Sequence, residues 1–210
     1  MFNTISAIVV MVSTVAKPAV TNSPAAPAVA LASHSFSMEN RYGNEFVNNV
    51  FKDNILLAMN YMDGAVNSKT QIDWNKVESP FNYEFTLNPS EEFAFHDQTL
   101  PDYSKNVVKT TGAHFDSSEG FKYDGDLTGD GVCHLASLIY WTAKDAGLTS
   151  YAPSNHNFAV IPDVPKEYGV AIQSPMPLGN LYVIDSLDKP VTFVFNYDGT
   201  NLKVSITETS

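Results

Sequence analysis

Asp126-Leu127-Thr128-Gly129-Asp130-Gly131-Val132-Cys133, followed without a break by residues 134–146, marks the clearest helix start in this sequence. Six side chains after Cys133 recur at helical spacing and share one face: Leu135, Leu138, Ile139, Thr142, Ala143 and Ala146. Gly147 directly follows them and suits a helix C-terminal cap. The pattern therefore predicts a helix over 134–146, with Cys133 in or beside its first turn.

A helix earlier in the chain and a hairpin at its end are predicted in the same way. Apolar residues recur at helical spacing from Glu45 to Met62, and Asp63-Gly64 ends the run. Near the C-terminus, apolar residues alternate on both sides of Asp198-Gly199, namely Phe193, Phe195 and Tyr197 before it and Leu202, Val204 and Ile206 after it. These patterns predict one helix near the start of the domain and a closing β-hairpin.

Shorter patterns fill the region between these elements. Strands are predicted at 83–87, 92–95, 158–161, 170–172 and 181–184. The polar stretch 67–83 is interpreted as an inserted loop, and 97–120 as loop. Helices early and strands late predict an α+β domain, in which the Cys-bearing helix packs on a mainly antiparallel sheet that ends in the C-terminal β-hairpin.

The N-terminal residues resemble a leader more than a fold. Residues 5–16 are apolar but too few to cross a bilayer, which needs about 20 residues, and their length is typical of a secretion signal. Residues 17–37 are rich in Ala, Pro, Ser and Val, with Ala28-Val29-Ala30 as a candidate cleavage site. We interpret 1–37 as export signal and linker, and 38–210 as the domain. The domain is then extracytoplasmic, without a stable membrane span beyond that signal; a disordered cytoplasmic tail is the alternative.

Charge and cysteine content narrow the classes of function. The formal net charge of -11 repels phosphate backbones and anionic lipid, which argues against a nucleic-acid partner. Such acidity serves solubility, and it also suits a cationic partner. The 210 residues contain one cysteine, so neither an internal disulfide nor a cysteine-rich metal site is possible. No cofactor is indicated.

Cys133 is a candidate nucleophile because of its position. Unpaired backbone N–H groups and the positive end of the helix dipole favour a thiolate at a helix start. His156 lies in a segment predicted to return beside that helix, and it is the candidate base. The expected lining and oxyanion groups are Gly131, Val132, His134, Ser137, Tyr140, Asn155 and Asn157. The alternative is a buried, inert cysteine and a surface histidine; His34, His96 and His114 are also expected at the surface.

The same loop permits a calcium hypothesis. Asp126, Thr128 and Asp130, followed by Gly131, match the first positions of an EF-hand-like loop. The twelfth position, which requires a bidentate acid, is Ser137. Helix capping by these acids is the competing explanation, and no metal is assigned.

Several of these motifs, taken in order, resemble one family. The run from Gly129 to Tyr140 resembles the VanW signature Gly-Gly-Gly-(Ile/Val)-Cys-Gln-x-Ser-(Ser/Thr)-x-Leu-Tyr, and Ala146-Gly147-Leu148 is similar to the Ala-Gly-Leu that follows it. Residues 87–97 are similar to its Leu-x-Pro-Gly-Glu-x-Phe-Ser-Phe-Asn-Asp, and His156 falls at the second histidine of a His-x-His-Ser segment. The resemblance covers residues 45–207 and is interrupted by the insertion at 67–83.

This resemblance implies a bacterial, extracytoplasmic protein linked to peptidoglycan, and some members look like L,D-transpeptidases. It implies that Cys133 attacks a stem-peptide carbonyl to give a thioester, with His156 as proton carrier. The sequence also departs from the family, since His134, Ala136 and Ser154 stand where the family has Gln, Ser and its first His. Three hypotheses follow: a thiol acyl-transferase or peptidase, a non-catalytic peptidoglycan-binding or structural module, and a calcium-stabilised structural domain.

Overall fold

The computed structural model describes residues 29–39, 41–67, 71–125 and 128–208. Within those ranges the fold is α+β, as predicted. The described residues form three α-helices, α1 (Glu45–Asp63), α2 (Trp74–Val77) and α3 (Val132–Asp145), and eight strands. The strands are β1 (Val29–Ser37), β2 (Phe81–Leu87), β3 (Glu92–Ala94), β4 (Val107–Lys109), β5 (Thr149–Tyr151), β6 (Tyr182–Ile184), β7 (Val191–Tyr197) and β8 (Asn201–Glu208).

The strands form two four-stranded sheets. The first has the order β1-β8-β7-β2 and is antiparallel throughout. The second has the order β4-β3-β6-β5 and is antiparallel except for the parallel pair β3–β4. Helix α3 contacts β1 and β8 of the first sheet, β5 of the second, and α1. Helix α3 therefore lies between both sheets and α1.

Helix α1 is confirmed with its predicted ends. The side chain of Asn44 accepts hydrogen bonds from the N–H groups of Phe46 and Val47, which caps the first turn. Gly64 ends the helix at φ +83, a backbone conformation that favours glycine. The face between Val50 and Met62 is buried, so the helical periodicity of the sequence corresponds to a real core face.

The C-terminal hairpin and the strands β2, β3 and β6 are also confirmed. Asp198 closes the hairpin by accepting hydrogen bonds from the N–H groups of Thr200 and Asn201, at 2.8 and 2.7 Å. The alternating aromatic residues face the core, where Phe193 stacks on Phe85 of β2 with ring centroids 4.8 Å apart. Alternation thus located both the strands and the face that each one buries.

Other predictions about the fold are wrong. Residues 29–37 are not linker: they form β1, which pairs with β8 from Val29 opposite Glu208 to Ser37 opposite Asn201. The supposed leader and linker therefore extend at most through residue 28, and the remainder of that prediction lies outside the described residues. The small Ala and Ser side chains of β1 give no strand pattern in the sequence, because the hydrogen bonds of a strand pair join backbone groups and do not require large side chains.

Two loop assignments and two strand assignments also change. The stretch 67–83 contains α2 and the start of β2, and 97–120 contains β4. Residues 158–161 are not a strand, since 158–159 form a bend and 160–161 have no regular structure. Of residues 170–172, Val170 forms an isolated bridge with Asn155. In the described part of the chain, no helix is both long enough and apolar enough to cross a membrane.

Candidate functional site

The N-cap residue of α3 is a glycine. Gly131 caps the helix at φ +105, and a Cβ at this position would lie 2.6 Å from the backbone oxygen of Phe51 in α1. Only glycine satisfies both the backbone angle and the close approach of the two helices. Cys133 is consequently the second residue of α3, beside the buried Val132.

The sulfur of Cys133 is held against a backbone segment. Its Sγ accepts a hydrogen bond from the N–H of Ile172 at 3.3 Å and lies 3.8 Å from the oxygen of Ile172. Burial raises the pKa of the Cys133 thiol to about 11, and the N–H of Ile172 offsets only part of that shift. The predicted stabilisation of a thiolate by the helix start is wrong here, because desolvation outweighs it.

One turn further along α3, Ser137 also hydrogen-bonds to the backbone segment that contains Ile172. Its hydroxyl donates to the oxygen of Cys133 at 2.7 Å and accepts from the N–H of Val170 at 2.9 Å. Ser137 is fully buried. Cys133 and Ser137 together therefore tie residues 170–172 to the first turns of α3.

His156 reaches the other edge of that segment. Its backbone N–H donates to the oxygen of Gly169 at 3.0 Å, and its Nδ1 lies 3.2 Å from the oxygen of Ala159. A carbonyl only accepts, so Nδ1 carries the proton and Nε2 keeps its lone pair. The residue is 7% exposed, and burial lowers the pKa of its imidazole. No hydrogen bond joins His156 to Cys133 within the described ranges, so the catalytic pair stays a prediction.

The ring of His156 lies beside His134, at 6.2 Å between centroids. His134, predicted to line the site, is 2% exposed and bonded at both nitrogens. Arg41 Nη2 donates to its Nδ1 at 3.2 Å, so Nε2 carries the proton and donates to the Tyr42 hydroxyl at 3.1 Å. Burial and then the charge of Arg41 lower the pKa of His134 well below its usual value. His134 is therefore neutral.

Arg41 belongs to the candidate site and was not predicted from the sequence. Its guanidinium donates to the oxygens of Ser37 and Pro162 at 2.6 and 2.8 Å, and lies 3.6 Å from Asp163. It thus joins the end of β1, the 162–163 loop and His134 in one polar cluster. A signal existed, because Arg41 is the only arginine in the sequence. Guanidinium groups are favoured where several acceptors must be bound in a buried setting.

The remaining predicted residues are dispersed. Tyr140 is half-buried and packs against Tyr168 at 6.2 Å, while Asn155 and Asn157 are exposed. These three predicted contacts with a substrate stay predictions. His96 is fully buried, contrary to the expectation of a surface residue, because its Nε2 donates to the oxygen of Gly179 at 2.9 Å.

The calcium hypothesis finds little in the loop before α3. Asp126 lies outside the described residues, and Thr128 is exposed and bridged to Tyr123. The backbone oxygen of Asp130 accepts a hydrogen bond from Asn54 at 2.9 Å, which ties the loop to α1. Over the described residues, no group of three or more His, Cys, Asp or Glu side chains is placed to hold a metal ion.

A groove opens beside this polar cluster. It has a volume of about 640 Å³ and runs along the first two turns of α1. Tyr42 belongs both to its wall and to the His134 cluster, so the groove leads towards the start of α3. Its lining carries charges of both signs and amide groups: Met38, Glu39, Arg41, Tyr42, Gly43, Glu45, Asn48, Asn49 and Lys52.

Comparison with known proteins identifies one family. A family model described as "VanW like protein" matches residues 83–207, which is more than half of the chain. The matched region runs from β2 to β8 and includes the whole of α3. No curated protein and no solved structure matches the chain.

Proposed function

The chain belongs to the VanW-like family, and on this premise we propose that it is an extracytoplasmic, cell-wall-associated module that binds peptidoglycan stem peptides without catalysis. One observation carries the choice of a binding role over an enzymatic one. The pKa of the Cys133 thiol is raised to about 11, while its sulfur is occupied in holding Ile172. A thiol with that pKa is almost entirely protonated at neutral pH and is a weak nucleophile.

The groove beside α1 supports a peptide ligand. Stem peptides carry free carboxylates and amines, so a complementary site needs charges of both signs. The groove offers Lys52 together with Glu39 and Glu45, and the side chain of Asn48 beside them. Tyr42 adds an aromatic surface for the apolar part of a peptide. We assign ligand binding to this groove.

A binding assay tests the proposal. Soluble muropeptides are titrated into the wild-type protein, Cys133→Ala and Lys52→Glu, and binding is followed by calorimetry. We expect Cys133→Ala to bind as the wild type does, and Lys52→Glu to bind at least about tenfold more weakly, since a hydrogen bond to a charged group contributes about 1.5–3 kcal/mol and about 1.4 kcal/mol is a factor of ten. Lys76→Glu is the matched control, because Lys76 lies on α2 with its side chain 84% exposed and outside the groove.

The outcomes separate the alternatives. Absence of binding by the wild-type protein refutes the proposal as a whole. Equal weakening by Lys52→Glu and Lys76→Glu refutes the groove, since it indicates a general effect of net charge.

Cys-dependent acyl transfer is the second candidate function, and one arrangement favours it. The sulfur of Cys133 and the backbone N–H of His156 bond to the same short segment, at Ile172 and Gly169 respectively. His156 is in the tautomer with an unprotonated Nε2, and a general base requires such a lone pair to accept a proton. A small movement of residues 169–172 would free the sulfur.

In this second proposal the chemistry balances as follows. The sulfur of Cys133 attacks a stem-peptide carbonyl while His156 takes the thiol proton. The peptide C–N bond breaks, the leaving amine receives that proton, and a thioester forms. Attack by a second amine or by water then releases Cys133. Backbone N–H groups at the start of α3 are the proposed oxyanion donors.

Turnover and trapping decide between the two candidates. Muropeptides are incubated with wild-type protein, Cys133→Ala and His156→Gln, and products and any thioester adduct are identified by mass spectrometry. Turnover that both substitutions abolish supports acyl transfer and overturns the non-catalytic proposal. Binding without turnover or adduct removes acyl transfer.

A further inference from the structure

Glu92 is a buried carboxyl group on the outer face of the second sheet. In the ladders, Glu92 lies opposite Ile184, and Tyr182 lies opposite both Ala94 and Tyr151. Since side chains alternate along a strand, Glu92, Tyr182 and Tyr151 share one face. Phe93 and Val183 occupy the other face and are fully buried in the core. Glu92 is nevertheless only 3% exposed, so another part of the chain must cover the outer face.

Residues 100–106, the cover segment, shield this face. Tyr103 stacks on Tyr182 with ring centroids 4.4 Å apart, and on Tyr151 at 5.6 Å. The N–H of Leu100 donates to the Tyr182 hydroxyl at 2.9 Å, and the N–H of Glu92 donates to the oxygen of Asn106 at 2.9 Å. One aromatic stack and a few hydrogen bonds therefore keep Glu92 from water.

Among the described residues, the cost of burying the Glu92 carboxyl is not offset by an ion pair, and one of its oxygens has no hydrogen bond. Its Oε1 is buried without a hydrogen-bond partner, and no Lys, Arg or His pairs with it in the described ranges. The titratable groups that face it are Tyr103 from the cover segment and Tyr182 from β6. Asp102 and Lys105 of the cover segment are exposed to solvent.

Titration near neutral pH follows from this burial. Desolvation raises the pKa of Glu92 to about 7. Burial also raises the pKa values of Tyr103 and Tyr182 above their ordinary value of 10.0, so both phenols stay neutral in this range. Of Glu92, Tyr103 and Tyr182, Glu92 is thus the one that changes charge between pH 6 and pH 8.

We propose that residues 100–106 are a proton-sensitive latch, which is closed over the second sheet while Glu92 is protonated and loosens when Glu92 ionises. An isolated carboxylate is costly to keep from water, and in this proposal water reaches it through release of Tyr103. Opening would uncover the ring of Tyr182, whereas Tyr151 is already exposed in the closed state. The latch is separate from the α1 groove and does not depend on the proposed function.

Hydrogen exchange of the wild-type protein and Glu92→Gln tests the latch. Protection factors for residues 100–106, corrected for the intrinsic rate, are compared at pH 6 and pH 8 by mass spectrometry. Because one pH unit changes the charged fraction of a titrating group up to tenfold, we expect wild-type protection to fall by about tenfold and that of Glu92→Gln to stay constant. The same pH step in both proteins overturns the proposal.

Two further measurements keep the test decisive. His114 pairs with Asp97 at 3.4 Å close to the segment, and hydrogen bonding to Glu119 raises the pKa of its imidazole, so His114 serves as the control for a second titrating group. His114→Gln should retain the pH step if Glu92 causes it; loss of the step assigns it to His114 and overturns the proposal. If Glu92→Gln does not fold, the carboxyl carbon of Glu92 is titrated by NMR in the wild-type protein. The pH midpoint of that titration must coincide with the midpoint for the loss of protection of residues 100–106. Different midpoints overturn the proposal.

Discussion

Substituting alanine for Gly131 tests the packing of α3 against α1. The added methyl would lie 2.6 Å from the backbone oxygen of Phe51 and 3.1 Å from its Cα, and this backbone belongs to α1 and cannot move alone. Alanine must also adopt φ +105. The left-handed backbone costs about 1–2 kcal/mol and overpacking about 1–3 kcal/mol more, so the free energy of unfolding should fall by about 2–5 kcal/mol.

Gly147→Ala is the matched control for backbone strain alone. Gly147 has φ +81, but a Cβ there would meet nothing within 4 Å. We expect a loss of about 1–2 kcal/mol for this variant. At roughly 2–4 °C per kcal/mol for a domain of this size, the Tm followed by circular dichroism should fall by about 4–20 °C for Gly131→Ala and by about 2–8 °C for Gly147→Ala. Equal losses would show that the Phe51 contact costs nothing and would refute the reasoning.

Three more predictions concern protonation and the segment beside α3. Because the pKa of Glu92 is raised from 4.5 to about 7, its carboxyl lowers stability progressively between those pH values; Glu92→Gln should raise the free energy of unfolding in urea at pH 8 by up to about 3 kcal/mol and change little at pH 4. Cys133, with a thiol pKa of about 11, should react with iodoacetamide far more slowly at pH 7 than the urea-unfolded protein does, and more rapidly as the pH rises; equal rates by intact mass contradict this. Ser137→Ala leaves the N–H of Val170 without its acceptor and should cost about 1–3 kcal/mol in urea unfolding, whereas an unchanged midpoint would show that the N–H finds another partner.

Local patterns predicted those elements whose signals lie within a few residues. Helix α1 has a regular apolar face, an asparagine cap and a terminal glycine, and the hairpin has alternating aromatics around Asp198. Strand β1 has no such local signal, since Phe36 is its only side chain that is fully buried. Its stability comes from pairing with β8, which is more than 160 residues away in the sequence. Sequence patterns do not report a partner at that distance.

The candidate site divides in the same way. The glycine-rich approach to α3 is local, and it correctly indicated where the helix would start. The pKa of Cys133 depends on Ile172, and the state of His134 depends on Arg41 and Tyr42, all brought in by distant segments. A helix dipole can be inferred from sequence, whereas the desolvation that outweighs it depends on tertiary packing.

The pairing of β1 with β8 determines how the domain would respond to tension. Val29 and Glu208 lie opposite each other at the same end of the antiparallel ladder. A pull on these two residues in opposite directions would load the hydrogen bonds of the ladder one after another, as in a zipper, instead of sharing the load among them. Peeling of β1 would begin at small force and would expose Phe36 last, because Phe36 lies near the far end of the ladder, opposite Leu202. Forced unfolding is governed by the rate of opening, so this edge sets the mechanical weak point of the first sheet.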